Sequence, residues 1–249
     1  MSNTQIKFLK SLHKNKYRNQ HKKIILEGHR LISQALTFGA KMEKIWVTDE
    51  YQSSSQFKEV KKYNENFLFD VISKQSIKKV TESKNNQGII ALTSFPKYKK
   101  IVDYPRQSVY LDRISDPGNM GTLLRTASWF GIKDIFLSTD CVDVFNSKVI
   151  RAAMGAHFYL NRIIVLPFDN MKRDDLFVIA GDLKGESLEK FHIPKNKKWI
   201  LVLGSEAHGI SSYIKSFITH SVTIKANCDM ESLNVVSAGS ILLNHLVIK

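Results

Sequence analysis

Three segments in the second half of this 249-residue chain combine residues able to do chemistry with the glycines and small polar groups that shape a site. The first is Leu111-Asp112-Arg113-Ile114-Ser115-Asp116-Pro117-Gly118-Asn119-Met120-Gly121-Thr122-Leu123-Leu124-Arg125. It reads as a strand, a turn rich in Asp, Pro and Gly, and a helix that Asn119 is placed to cap. With a helix starting near Met120, Arg125 falls in the second turn, where a guanidinium can reach back to the strand ends and grip a phosphate bidentately. The second is Leu203-Gly204-Ser205-Glu206-Ala207-His208-Gly209, two glycines five apart after an apolar strand, a backbone tight enough for a flat ligand to approach. The third, running from Ile224 through Lys225, Ala226 and Cys228 to Ser232-Leu233-Asn234, is a small, polar loop before a last helix, with Ser232 as its cap. Each alone reads equally well as an ordinary turn or helix start.

Other chemistries lack their patterns. Ser205 and His208 do not have the G-x-S-x-G spacing of a hydrolase nucleophile. There is no G-x-G-x-x-G dinucleotide fingerprint, which disfavours a nucleotide-dependent oxidoreductase, and no H-E-x-x-H or CxxC metal spacing. Cys141 and Cys228 are far apart, which disfavours a disulfide framework and points to a reducing cytoplasm. No apolar run approaches the ~18 residues that span a bilayer, so the chain reads as soluble, and the basic, apolar-alternating start as a folded helix.

These segments need a scaffold whose strand ends face one way. Beyond residue 106, candidate strands at 108–111, 134–137, 163–166, 177–180, 199–203 and 222–224 alternate with helices at 120–129, 147–153, 213–218 and 232–246. Apolar runs such as Ile200-Leu201-Val202-Leu203 imply a sheet covered on both faces, hence parallel, with ligands expected beyond its carboxyl ends. Residues 1–98 carry a second α/β alternation, and the Pro- and Lys-bearing stretch 99–106 reads as the linker to a domain over 107–249. The net charge of +14 is uneven: 18 Lys and Arg face 8 Asp and Glu in residues 1–98, against 19 and 15 afterwards. A field of that sign attracts polyanions, nucleic acid first among them.

Taken together, N-x-G-x-x-x-R, L-G-x-E-x-x-G and I-x₇-S-L-N, in this order and spacing, closely resemble the three motifs of the SpoU (TrmH-like) family of RNA 2′-O-ribose methyltransferases, within the SPOUT superfamily. Lys16-Tyr17-Arg18 and 26–31 resemble the small RNA-recognition domain many members carry. The resemblance implies a C-terminal trefoil-knotted α/β domain with a parallel sheet, the chain from about Leu203 to Val235 being threaded through a loop, preceded by a small N-terminal α/β RNA-recognition domain. It implies an S-adenosylmethionine-dependent enzyme without a metal, acting on RNA, with ribosomal RNA favoured over transfer RNA. Gly204, Ile224 and Leu233 are then expected to bind the cofactor. Arg125 is expected to be the catalytic arginine, as base or as orienting cation, with Asn119, Glu206, Ser232 and Asn234 as its supporting shell. A homodimer through the knotted region is also implied; whether the last helix, with Val235, Ala238, Ile241, Leu242 and His245, faces a second copy or the core stays open. The third motif departs from the family's usual I-P-M opening and later glycine, since Lys225, Ala226 and Cys228 fill those places. A non-catalytic RNA-binding relative that has lost its cofactor is the competing reading.

Overall fold

The computed structural model describes residues 1–63, 69–83, 85–101, 104–171, 175–205, 208–228 and 232–248. They form two compact units, one of residues 1–97 and 143–159, the other of 98–142 and 160–249.

The first unit runs α1 (Asn3–Ser11), α2 (Asn15–His21), β1 (Lys23–Glu27), α3 (His29–Thr37), β2 (Met42–Val47), α4 (Asp49–Gln52), α5 (Ser55–Lys61), β3 (Phe69–Val71), α6 (Lys74–Val80) and β4 (Ile89–Ser94). Its sheet has the order β1-β4-β2-β3, with only the β2–β3 pair parallel. The side-chain alternation of a strand explains its two cores. Ile24, Leu26, Ile45, Val47, Ile89 and Ala91 face Leu31, Ile32 and Ala35 of α3. Their neighbours Ile25, Trp46, Ile90 and Leu92 face Leu9 of α1 and Ile77 and Val80 of α6. The basic start, expected as a folded helix, holds two, because Lys14 is extended where α2 begins. His29 is buried, its Nδ1 2.8 Å from Tyr51 Oη and its Nε2 3.3 Å from Glu59.

The second unit holds β5 (Gln107–Asp112), α7 (Pro117–Trp129), β6 (Asp134–Leu137), β7 (Arg162–Val165), β8 (Leu176–Ser187), β9 (Lys198–Gly204), α10 (Ser212–Lys215), β10 (His220–Thr223) and α11 (Val235–Ile248). For chain order, α8 (Ser147–Ala153) and α9 (Ala156–Tyr159) fall between β6 and β7 but belong to the first unit. The sheet order is β10-β8-β9-β5-β6-β7 and every pair is parallel, as the apolar strands require. Central strands β5 and β9 are buried along nearly their whole length. The β8–β10 register jumps between Ser221 and Val222, so that 181–185 stand out of the ladder.

The division of the sequence at 99–106 assigns 143–159 to the second domain, whereas their packing is with the first unit. Ile150 joins the core under α3, and the Phe95 and Phe145 rings stack at 3.9 Å. Buried Arg18 binds the carbonyls of Leu12 and His13 and the Asp143 carboxylate at 2.5 Å. No local pattern in 143–159 encodes such a long-range partner.

His157 anchors this segment, 1% exposed, with Nε2 2.7 Å from the Val144 carbonyl, which the neutral imidazole satisfies by donating its proton. Burial pushes its pKa from 6.5 down to about 4. A depressed histidine makes the unfolded chain the better proton acceptor, so the stability it contributes is complete above pH 6.5 and is lost as pH falls through about 4. Urea unfolding across this window is expected to show a loss of about 3 kcal/mol that His157→Gln flattens. An identical pH slope in the variant would contradict it.

Candidate functional site

The carboxyl ends of β9 and β10 and the segment thrown out of β8 converge in the second unit. Between them lies a cavity of about 380 Å³, within the ~300–1,000 Å³ common for small-molecule clefts. Gly204, Ile224 and Leu233, which the sequence places 20 and 9 residues apart, all line it. Ser232 lines it too, as do Lys225, Ala226 and Cys228, the residues that depart from the family pattern.

Its shape follows from backbone packing at the end of β9. A Cβ on residue 204 would stand 2.5 Å from the Ile210 nitrogen and closer still to the Gly209 carbonyl carbon, so only glycine lets the strand meet the returning chain. Gly209, at φ +61°, donates its N–H to the Ser205 carbonyl at 2.7 Å. The return is held from β5, whose last residue, buried Asp112, accepts the Ser211 N–H at 2.7 Å. The Arg113 guanidinium donates to the Gly209 carbonyl at 3.3 Å. Arg113 itself adopts φ +57°, a left-handed turn that no local signal in the sequence announces.

Opposite, Ile224, Lys225 and Ala226 make no backbone hydrogen bond among the described residues, and their N–H and C=O groups remain for a ligand. A cavity with apolar walls from Leu203, Leu233 and Leu242 and an unspent backbone rim fits a cofactor that presents a flat heterocycle and polar edges. Sequence reasoning missed Gly181, Asp182 and Leu183 of the β8 excursion, which also line it. Their only signal is the pair of glycines at 181 and 185 inside a strand, and the backbone of Gly185 approaches Ser221 too closely for any Cβ.

The capping expectations are corrected. Asp116, not Asn119, caps α7, its Oδ1 accepting the Asn119 N–H at 2.7 Å, because Pro117 supplies the ready-made first helical φ. Helix α11 begins at Val235, and Asn234 rather than Ser232 receives its first N–H groups, from Val236 at 2.9 Å and Ser237 at 3.4 Å. These shifts bring two sequence-predicted residues together: Asn234 Nδ2 donates to Asn119 Oδ1 at 3.3 Å across 115 positions. Arg125 lies in the third turn of α7, exposed, outside the cavity wall and without a hydrogen bond or ion pair among the described residues. Glu206 lies outside the described residues. Of the apolar face of α11, Val235, Leu242 and His245 are buried within the chain, and Ile241 is 42% exposed. Among the described residues no cluster of three His, Cys, Asp or Glu side chains is placed to hold a metal, and no helix is long and apolar enough to cross a membrane.

Comparison with known proteins places this arrangement. Residues 106–244 match the SpoU rRNA Methylase family, and residues 3–91 the MRM3-like substrate binding domain. The chain is 28% identical, over 98% of its length and 96% of the relative's, to the 23S rRNA (guanosine(2553)-2′-O)-methyltransferase RlmP of Bacillus subtilis. It is 33% identical over 163 residues to the mitochondrial rRNA methyltransferase 3 of Xenopus tropicalis, of which it spans 38%. A TrmH-family protein from Porphyromonas gingivalis superposes with a TM-score of 0.83 at 32% identity, covering 98% of this chain and 97% of the other. An AdoMet-bound rRNA methyltransferase from Sinorhizobium meliloti does so at 0.80 and 25%, covering 98% and 94%.

The packing at residue 204 is directly testable. Gly204→Ala must push the β9 end from the returning chain and is expected to destabilise by roughly 1–3 kcal/mol. Gly209→Ala, where a Cβ meets nothing within 4 Å among the described residues, is expected to cost its left-handed φ, about 1 kcal/mol. Denaturant melts of the two variants check the order; equal losses would contradict it.

Proposed function

The chain belongs to the SpoU rRNA methylase family, and from that premise we propose that it transfers the methyl of S-adenosylmethionine to a ribose 2′-hydroxyl of ribosomal RNA. The observation that carries this reading is the convergence of Gly204, Ile224 and Leu233 on one cavity at the strand ends. When bound there, S-adenosylmethionine supplies a methyl group already activated by its sulfonium.

The protein's task is then positioning. A weakly acidic hydroxyl must be held in line with the methyl, and orientation of this kind removes a large part of a barrier. Arg125 is assigned that role. A delocalised guanidinium is a poor proton acceptor, so it acts as a cation that orients the hydroxyl through its neighbouring phosphate. The Asn119–Asn234 bond ties the start of α7, the helix that carries Arg125, to the loop on the cavity wall, and Ser232 stands on that wall. Glu206 completes the assigned shell by motif position. Threading of the chain between about 203 and 235 into the family's trefoil knot belongs to the same reading. So does a homodimer in the cytoplasm: Arg125 is exposed away from the cavity of its own chain, and a second copy offers it a substrate held by its partner.

Residues 1–98, with their excess of 18 basic over 8 acidic side chains, are assigned to RNA binding. Affinity for ribosomal RNA is expected to fall steeply with salt, as counterion release dictates. Filter binding over a salt series checks this, and a flat series would remove the electrostatic role.

Arg125→Ala is expected to abolish methyl transfer from labelled S-adenosylmethionine to ribosomal RNA while leaving the melting curve and calorimetric cofactor affinity near wild type. Normal turnover in the variant would refute the assignment. Absence of cofactor binding by the wild-type chain, even with RNA present, would refute the enzyme and favour a non-catalytic RNA-binding relative with its altered Lys225 to Cys228 loop.

A further inference from the structure

The first unit contains a second cavity, of about 470 Å³, remote in sequence from every motif of the methyl-transfer site. It opens where β2 ends, between the segment from Thr48 to Gln56, helix α6 and the turn 85–88 that leads into β4. We propose that this cavity receives one unstacked nucleotide of the RNA, whose base presents keto oxygens, as uracil and guanine do. The inference rests on the reading of the chain as an RNA-binding methyltransferase and names the part of the RNA that the first unit grips.

The floor is apolar and rigid. Ile77 is 1% and Tyr51 4% exposed, and the Tyr51 hydroxyl is tied to buried His29 at 2.8 Å. Gly88, at φ +74°, brings the backbone so near that a Cβ would lie 2.6 Å from Thr48 Oγ1 and 3.1 Å from Tyr51 Cβ, which keeps this wall flat. A flat, dry wall suits the face of a base.

The turn at 85–87 presents donors to the rim. Gln87 Oε1 accepts the His29 N–H at 2.9 Å, and Asn85 Oδ1 accepts the Gln87 N–H at 3.2 Å. Each carboxamide oxygen is thus turned to a backbone N–H, and the amide N–H₂ groups of Asn85 and Gln87 have no partner among the described residues. A surface offering N–H donors selects acceptors, so it favours O4 of uracil or O6 of guanine over the exocyclic amine of adenine. Two lysines border the opening. Lys74 is paired with Glu50 at 2.6 Å, while Lys78 has no ion pair among the described residues and is left to meet a phosphate. Because extruded bases are read on their edges by fixed polar groups and held on an aromatic or apolar face, this combination fits single-stranded or looped RNA.

The test is an NMR titration of the isotope-labelled full-length chain with UMP, GMP and AMP. Shifts are expected at Thr48 to Gln56 and at Gly88, with UMP or GMP binding roughly fivefold or more tightly than AMP, the lower end of what a good base-edge contact provides. Asn85→Asp keeps the oxygen that the Gln87 N–H needs and removes the donor, so it is expected to erase the preference without unfolding the chain. Lys78→Gln is expected to weaken all three nucleotides alike. Equal affinities, shifts confined to other regions, or a preference that survives Asn85→Asp would overturn the proposal. Cofactor binding and methyl transfer measured on the same preparations separate the failures: an active enzyme indifferent to these variants loses only this cavity, whereas a chain that binds no cofactor loses the methyltransferase reading.

Discussion

One missing atom governs the second unit. Because residue 204 has no Cβ, the last residue of β9 can lie against the Gly209–Ile210 backbone, and the chain can turn back within van der Waals contact of its own strand. That closeness puts the Ser211 N–H on the buried Asp112 carboxylate and the Gly209 carbonyl within reach of Arg113. The ends of the two central strands are thereby locked together, and the stretch of cavity wall at Gly204 and Gly209 is built from backbone. Walls of this kind are rigid at little entropic cost, since no rotamers must be ordered when a ligand arrives.

The same economy recurs where the helices meet. A Cβ on Gly239 would lie 2.9 Å from Leu203 and 3.1 Å from Leu123, so α11 approaches both β9 and α7 through a position stripped of its side chain. The close approach allows Asn234, at the head of α11, to reach Asn119 in the first turn of α7. Two short polar residues can bridge helices only when the helices are this near. The motif residues are thus coupled through packing, and the asparagine pair is its polar outcome.

Much of this was legible from residue types alone. Ile200 to Leu203 had to be a doubly covered strand, and glycines at 204 and 209 marked a tight backbone open to a flat ligand. The convergence of Ile224 and Leu233 on Gly204 was legible only through the motifs, because no periodicity links residues on separate loops. Cap positions were misread by a few residues, since Pro117 moves the start of α7 forward and Asn234 competes better than Ser232 for the first N–H groups of α11. The β8 excursion reads as a short strand at 177–180, because its pairing with β10 resumes only at Glu186, after five intervening residues and beyond any local window. Likewise, helical patterning located 147–153 but carried no trace of Asp143 and its buried partner Arg18.

That last pairing bears on how the protein is made. A ribosome emits the chain from its first residue, and a domain that is contiguous in sequence can fold as soon as it has emerged. Here the first unit lacks Ile150, Phe145 and the Asp143 carboxylate until the 45 residues 98–142 of the second unit, including the whole of α7, have already left the tunnel. Until then Arg18 has no carboxylate and the core under α3 is open on one side. The nascent chain must therefore carry an unfinished first unit and the opening strands of the second at the same time, and the two reach completion in an order set by connectivity rather than by position along the chain.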